Sequence, residues 1–150
     1  MKKDIKQEKL RLKEMMKINK TNLSLDMSRN PSYIFRMGCL KNDAERFYKK
    51  TENELKTVES AVYRKLKSKM TGSTETEIKH RLAGHAQVKI AQENILEAQH
   101  MFNMYKVAVK ALDDKSTMLT NLAYNYRKEL EHNLVKESRE KQLMDKAKQS

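Results

Sequence analysis

The sequence predicts an all-α protein: a long antiparallel helical hairpin of coiled-coil type, preceded by a short N-terminal helix and assembled as an oligomer. The composition comes first. Charged residues make up 35% of the 150, with no Trp, one Pro and three Gly, which suits long helices and leaves too little turn chemistry for a many-stranded sheet. The second observation is a stripe taken at alternating steps of four and three from Ala91 to Asn133. Eleven of its thirteen positions are apolar, and only Ser116 and Asn133 are not; the overall hydrophobic share would give about five. The third is a shorter stripe, Tyr33, Met37, Leu40, Ala44, Phe47, Thr51, Leu55, Val58, Val62 and Leu66. Its period is close to the eleven-residue repeat of a nearly straight seam. A helix as long as the second stripe cannot bury that stripe against itself, and the first stripe covers only part of it. The remainder predicts pairing with further copies, a homo-oligomer, with Phe102, Tyr105, Val109, Leu112, Leu119, Tyr126 and Leu130 as the assembly residues.

Taken in order, residues 4–18 carry Ile5, Leu12, Met15 and Met16 on one face of a short helix whose other faces are rich in lysine. Such a helix is marginal alone. Residues 19–30, NKTNLSLDMSRN, read as a polar connector. Asn30-Pro31 reads as a helix start, Asn as cap and Pro at the first helical position, opening a helix that runs to about Met70. Gly38 within it is expected to mark a close helix contact. Thr71-Gly72-Ser73 closes it, with Gly72 in the usual place after a helix. Thr74 and Glu77 form a capping box, Ile78 and Leu82 begin a new apolar face, and Gly84-His85 allow a short break. The final helix follows and weakens past Leu134. The chain thus divides into a basic arm with a short helix (1–30), a hairpin domain (31–134, tip near 68–78) and a charged tail (135–150).

Catalysis has little to stand on. The glycines sit in no phosphate-cradling pattern, His80, His85, His100 and His132 have no zinc-ligand spacing, and Cys39 has no nearby His in sequence and reads as a buried apolar residue. Met37 and Met118 read as core. No enzyme activity, cofactor or metal is expected. The basic N-terminus lacks the continuous apolar core of a signal peptide, and no run approaches the ~18 apolar residues of a membrane span. With a single cysteine this predicts a soluble protein of a reducing, cytoplasmic compartment and no membrane partner.

The charge is more informative. With 32 Lys and Arg against 20 Asp and Glu the chain carries +12, which favours a polyanionic partner. In residues 41–70 every acid lies at or before Glu59, so Arg64, Lys65, Lys67 and Lys69 are unopposed in the turns before the tip. A hairpin brings Lys79 and Arg81 to the same end. Phosphates are neutralised by such a cluster irrespective of base sequence, and Tyr63 offers a ring for base stacking. The same residues also suit a helix C-terminus on dipole grounds, so the cluster alone admits both readings.

The order of features adds to this: a polar arm, a long helix ending in YRKLKSK, the cap in TETEIKHRL, and a long helix closing with AVKALDDKSTMLTNLAYNYRKEL. From Tyr33 to Leu130 this pattern resembles the UvsY family of phage recombination mediators. The resemblance implies a protein that binds single-stranded DNA, forms rings, and helps a RecA-like recombinase displace single-strand-binding protein. It also implies that the DNA-contacting residues are those at the end of the first long helix, here Arg64, Lys65, Lys67 and Lys69. The N-terminal basic arm and the longer tail depart from the family pattern. The rival expectation is a structural or adaptor coiled coil with no nucleic-acid role.

Overall fold

The computed structural model describes residues 2–148, and among them every regular element is helical. Helix α1 spans Lys2–Met16, α2 Leu23–Lys69, α3 Glu75–Gly84 and α4 Ala86–Lys148. Helices α2 and α4 pack against each other as a hairpin. The chain forms two compact units, one of Ile34–Lys110 and the other running to Tyr33 and resuming at Ala111.

In the Ile34–Lys110 unit the stripe of α2 buries Met37, Thr51 and Val62, and α4 contributes Val88, Ala98, Tyr105 and Ala108. Phe47, expected in that stripe, is 56% exposed. At about 100° per residue it stands roughly 80° from the line through Met37, whereas Tyr48 stands only about 20° from it. Tyr48 is therefore the inward residue, and its ring stacks on Phe102 of α4 with centroids 6.2 Å apart and planes 4° from parallel. Thr51 is tolerated in the core because its hydroxyl donates to the Tyr48 carbonyl at 2.8 Å, the usual solution for a buried hydroxyl on a helix. Cys39 is exposed rather than buried, and Met118 is 55% exposed while Met37 is fully buried. Gly38 marks no close contact: a Cβ there would meet nothing within 4 Å.

The turn between α2 and α3 is built as its sequence suggests. Gly72 takes a left-handed φ of +94°, a conformation that costs an L-residue about 1–2 kcal/mol. The Thr74 hydroxyl accepts from the Glu77 amide at 3.3 Å while the Glu77 carboxylate accepts from the Thr74 amide at 3.1 Å. His85 is the one-residue break. Its amide closes α3 on the Leu82 carbonyl, and its Nδ1 accepts from the Gln87 amide at 3.3 Å, capping α4.

The other unit departs further from expectation. Helix α2 starts at Leu23, inside the supposed connector, with Asn22 as its cap: Asn22 Oδ1 accepts from the Leu25 amide at 3.1 Å. Pro31 consequently lies within the helix, and Asn30 is a buried side chain whose Nδ2 donates to the Leu112 carbonyl of α4 at 3.3 Å. The connector proper is residues 17–22. Lys115 of α4 is 3% exposed. Its Nζ donates to the carbonyls of Met15 at 3.0 Å and Lys17 at 2.7 Å, and pairs with Asp26 Oδ1 at 3.5 Å. With Leu12 and Met15 buried, this docks α1. Helix α4 does not stop near Leu134 but continues to Lys148; the side chains from Tyr124 to Lys141 are all exposed.

Two outcomes are expected. Gly38→Ala should raise stability by about 1 kcal/mol, because the helix loses a glycine and the methyl meets open space; urea unfolding measures this, and a loss of stability would mean the space is occupied. Lys115→Met should cost about 3 kcal/mol, since Asp26 and two helix-end carbonyls lose their donor. It should also speed tryptic cleavage at Lys17 and Lys20; an unchanged cleavage rate would show that α1 is held by its apolar contacts alone.

Candidate nucleic-acid interface

The tip of the Ile34–Lys110 unit places α3 beside the last turns of α2. Leu82 of α3 shares a shallow depression with Ser60, Tyr63 and Arg64 of α2. The electrostatics report the same proximity. Glu75 forms an ion pair with Lys79 at 3.0 Å; the hydrogen bond and charge of Lys79 hold its carboxyl below the ordinary value of 4.5, and Lys67 across the turn adds to this. Glu75 in turn raises the Lys79 ammonium, as its hydrogen-bonding partner and through its charge, with a smaller contribution from Tyr63. The Lys67 ammonium lies 6.0 Å from the centroid of the Tyr63 ring, at the outer limit of a cation–π contact.

These groups form one side of the tip: Tyr63, Lys67, Glu75 and Lys79. Of the remaining basic residues of the sequence-predicted site only Arg64 borders it, through the depression it shares with Tyr63. Lys65 is two residues from Tyr63 and therefore about 200° round α2, while Arg64 lies between them on the outward face. Arg81 is likewise two residues from Lys79 and stands on the other flank of α3. All six basic side chains are exposed, and Tyr63 is half-buried. The arrangement is a collar of positive charge round a helix end, not a pocket. It can hold a flexible polyanion at several phosphates, with Tyr63 offering only the part of its ring that Lys67 and its half-buried setting leave open.

Sequence reasoning placed the cations but missed their counter-charge. Glu75 appears in the sequence only as a residue beside the capping box, yet its spacing of four from Lys79 is the orientation that favours a helical ion pair. Glu77 is engaged in the cap. Of the two acids among residues 63–81, one is therefore spent on a lysine and the other on a helix start. Arg64, Lys65 and Lys69 take part in no ion pair among the described residues.

The assembly residues divide by burial. Tyr105, Leu112 and Leu119 are buried within the protomer, Phe102 is half-buried against Tyr48, and Val109 is half-buried. Tyr126 and Leu130 are 60% and 48% exposed, so on this seam only the outer end of α4 presents large apolar side chains. No group of three or more metal-ligating side chains is found among the described residues, and no helix among them is long and apolar enough to cross a membrane.

The Glu75–Lys79 pair gives a pH test. A depressed carboxyl supports the fold above the unfolded glutamate value of about 4.3 and loses that contribution as pH falls through its lower folded value. A raised lysine contributes below about 10.4 and loses its contribution as pH rises through its higher folded value. NMR titration should find Glu75 below 4.5 and Lys79→Met should move it back up; an unmoved midpoint would remove Lys79 as the cause. No family model matches the chain, and neither a curated protein nor a solved structure does.

Proposed function

We propose that this chain is a non-enzymatic recombination mediator that binds single-stranded DNA at the tip of its hairpin. In this reading it acts as a homo-oligomer in the cytoplasm, needs no cofactor, and helps load a RecA-like recombinase in place of single-strand-binding protein. The carrying observation is the collar itself: Arg64, Lys65, Lys67, Lys69, Lys79 and Arg81 all exposed at one end of one unit, with Glu75 and Glu77 already engaged by Lys79 and the helix cap. An open collar without a cavity suits a partner recognised by its backbone charge, and oligomerisation would multiply weak contacts into an avid array. The loading role is what the resemblance to UvsY-type mediators adds.

A second reading, a structural or adaptor coiled coil, is favoured by a different observation. Tyr126, Leu130 and Leu134 recur at every fourth position on the exposed end of α4, as a helix awaiting a protein partner would present them.

Anisotropy on a labelled single strand across a salt series separates the two. The mediator reading expects binding that weakens steeply with salt, with a slope of about −0.7 per phosphate neutralised. Arg64→Glu with Lys65→Glu should flatten that slope by about 1.4 or more. Indifference to single strands near 150 mM salt would favour the adaptor, and an unchanged slope in the double variant would sink the site.

A further inference from the structure

We propose that a bound single strand does not end at the tip but continues along the outward face of α2 as far as Arg46. The proposal rests on reading the tip as a single-strand site and extends it to residues that no helix-end argument explains.

Arg46 and Arg64 are eighteen residues apart, which is five full turns, so they point in the same direction about 27 Å apart along one helix. Between them on the same line stand Lys50, Asn53, Thr57 and Ser60, all exposed. None is acidic. The acids of the segment, Asp43, Glu45, Glu52, Glu54 and Glu59, stand about 60° or more off this line. The result is an acid-free row with cations at both ends and small polar side chains in the middle.

The surface relief follows the same row. Arg46, Lys50, Asn53 and Thr57 line one shallow depression together with Lys49, Val58 and the Lys50-paired Glu54. Ser60, Tyr63 and Arg64 line the next together with Glu59 and Leu82. Both belong to the Ile34–Lys110 unit. The Thr57 and Ser60 hydroxyls donate to the carbonyls of Asn53 and Lys56 of their own helix. They are low spacers, and the contacts fall to the guanidiniums, Lys50 and the Asn53 amide.

Lys50 is held to one side by Glu54 at 3.8 Å and its neighbour Lys49 by Glu45 at 2.8 Å. Both pairs are exposed, and such pairs contribute little, so a phosphate can exchange for the carboxylate. Arg46 and Arg64 take part in no ion pair among the described residues. A row of about 27 Å with cations at both ends and polar side chains between them fits a strand whose phosphates are held at either end and whose middle lies over low, uncharged side chains. At the ~3.4 Å or more taken up by each nucleotide of a strand, it accommodates up to about eight.

The test is affinity against length, using oligothymidylates of about four to sixteen nucleotides on the full-length protein at about 0.1 M salt. Wild-type affinity should rise with length beyond what the tip alone can hold. Arg46→Ala with Lys50→Ala removes two phosphate contacts, which at that salt is about a 25-fold loss on long strands and a slope shallower by about 1.4. On the shortest strands, which the tip can hold, the variant should bind as wild type does. Both positions are exposed on a helix that alanine favours, and circular dichroism checks that the helix persists. If the variant keeps the wild-type length dependence and slope while Arg64→Ala with Lys65→Ala weakens binding, the track is overturned and the tip survives. If the wild type binds no strand of any length, both fall together.

Discussion

A buried ammonium sets the arrangement of the unit built from α1, the start of α2 and the later part of α4. An –NH3+ group has three donors and no acceptor, and burying it without partners is costly. Lys115 finds three acceptors, and each belongs to a different stretch: the Met15 carbonyl at the end of α1, the Lys17 carbonyl just beyond it, and Asp26 in the first turn of α2. Two demands are met together. The last carbonyls of a helix have no partner within the helix and carry the negative end of its dipole. The side chain of Lys115 supplies both a donor and a positive charge there. Asp26 is fixed in turn by the Asn19 amide, which donates to its other oxygen. Helix α1 thus ends, the connector turns, and α2 begins around one nitrogen atom of α4.

That node explains why the start of α2 was hidden in the sequence. Asn30-Pro31 carries the residues of a helix start, and local rules favour it, because proline inside a helix loses one hydrogen bond and crowds the preceding turn at a cost of about 3 kcal/mol. The chain accepts that cost because two tertiary contacts hold the turns before Pro31. Asp26 reaches Lys115 before the proline, and Asn30 donates to Leu112 beside it. Neither contact leaves a local mark. Lys115 sits one position off the apolar stripe and directly after Asp113 and Asp114, where any lysine reads as a solvated charge. The true cap, Asn22, stood among several Asn and Ser residues with nothing to single it out.

The hairpin was legible for the opposite reason. Its signal is spread over many residues, so that one misplaced ring does not destroy it. Phe47 and Tyr48 illustrate the limit. Both are aromatic, and a stripe counted in steps of three and four can take either; only the actual twist of the helix selects Tyr48 for the stack on Phe102. The turn chemistry at Gly72, Thr74 and His85 was legible because capping acts over three residues or fewer. Gly38 was misread because a glycine inside a helix has two explanations, close packing or none, and sequence does not separate them. The collar at the tip was legible as composition but not as geometry, since the direction of each cation depends on two helices at once.

The charges of α2 then need two physical accounts rather than one. Toward its end, Lys67 and Lys69 meet the negative pole of the helix dipole, and Glu75 and Glu77 meet the positive pole at the start of α3. Helix-end electrostatics would place those residues there in any hairpin. This reasoning fades within a turn of the terminus. Arg46 and Lys50 lie five turns or more from either end of α2, where the dipole offers them nothing, and the segment has acids enough to have balanced them on the same line. Instead its carboxylates stand to the sides, where Glu45 pairs with Lys49 and Glu54 with Lys50. A face from which acids are missing, on a helix that carries five of them nearby, is a stronger sign of a polyanionic partner than a basic helix end. The middle of α2 therefore adds to the collar at the tip an argument that helix-end electrostatics does not supply.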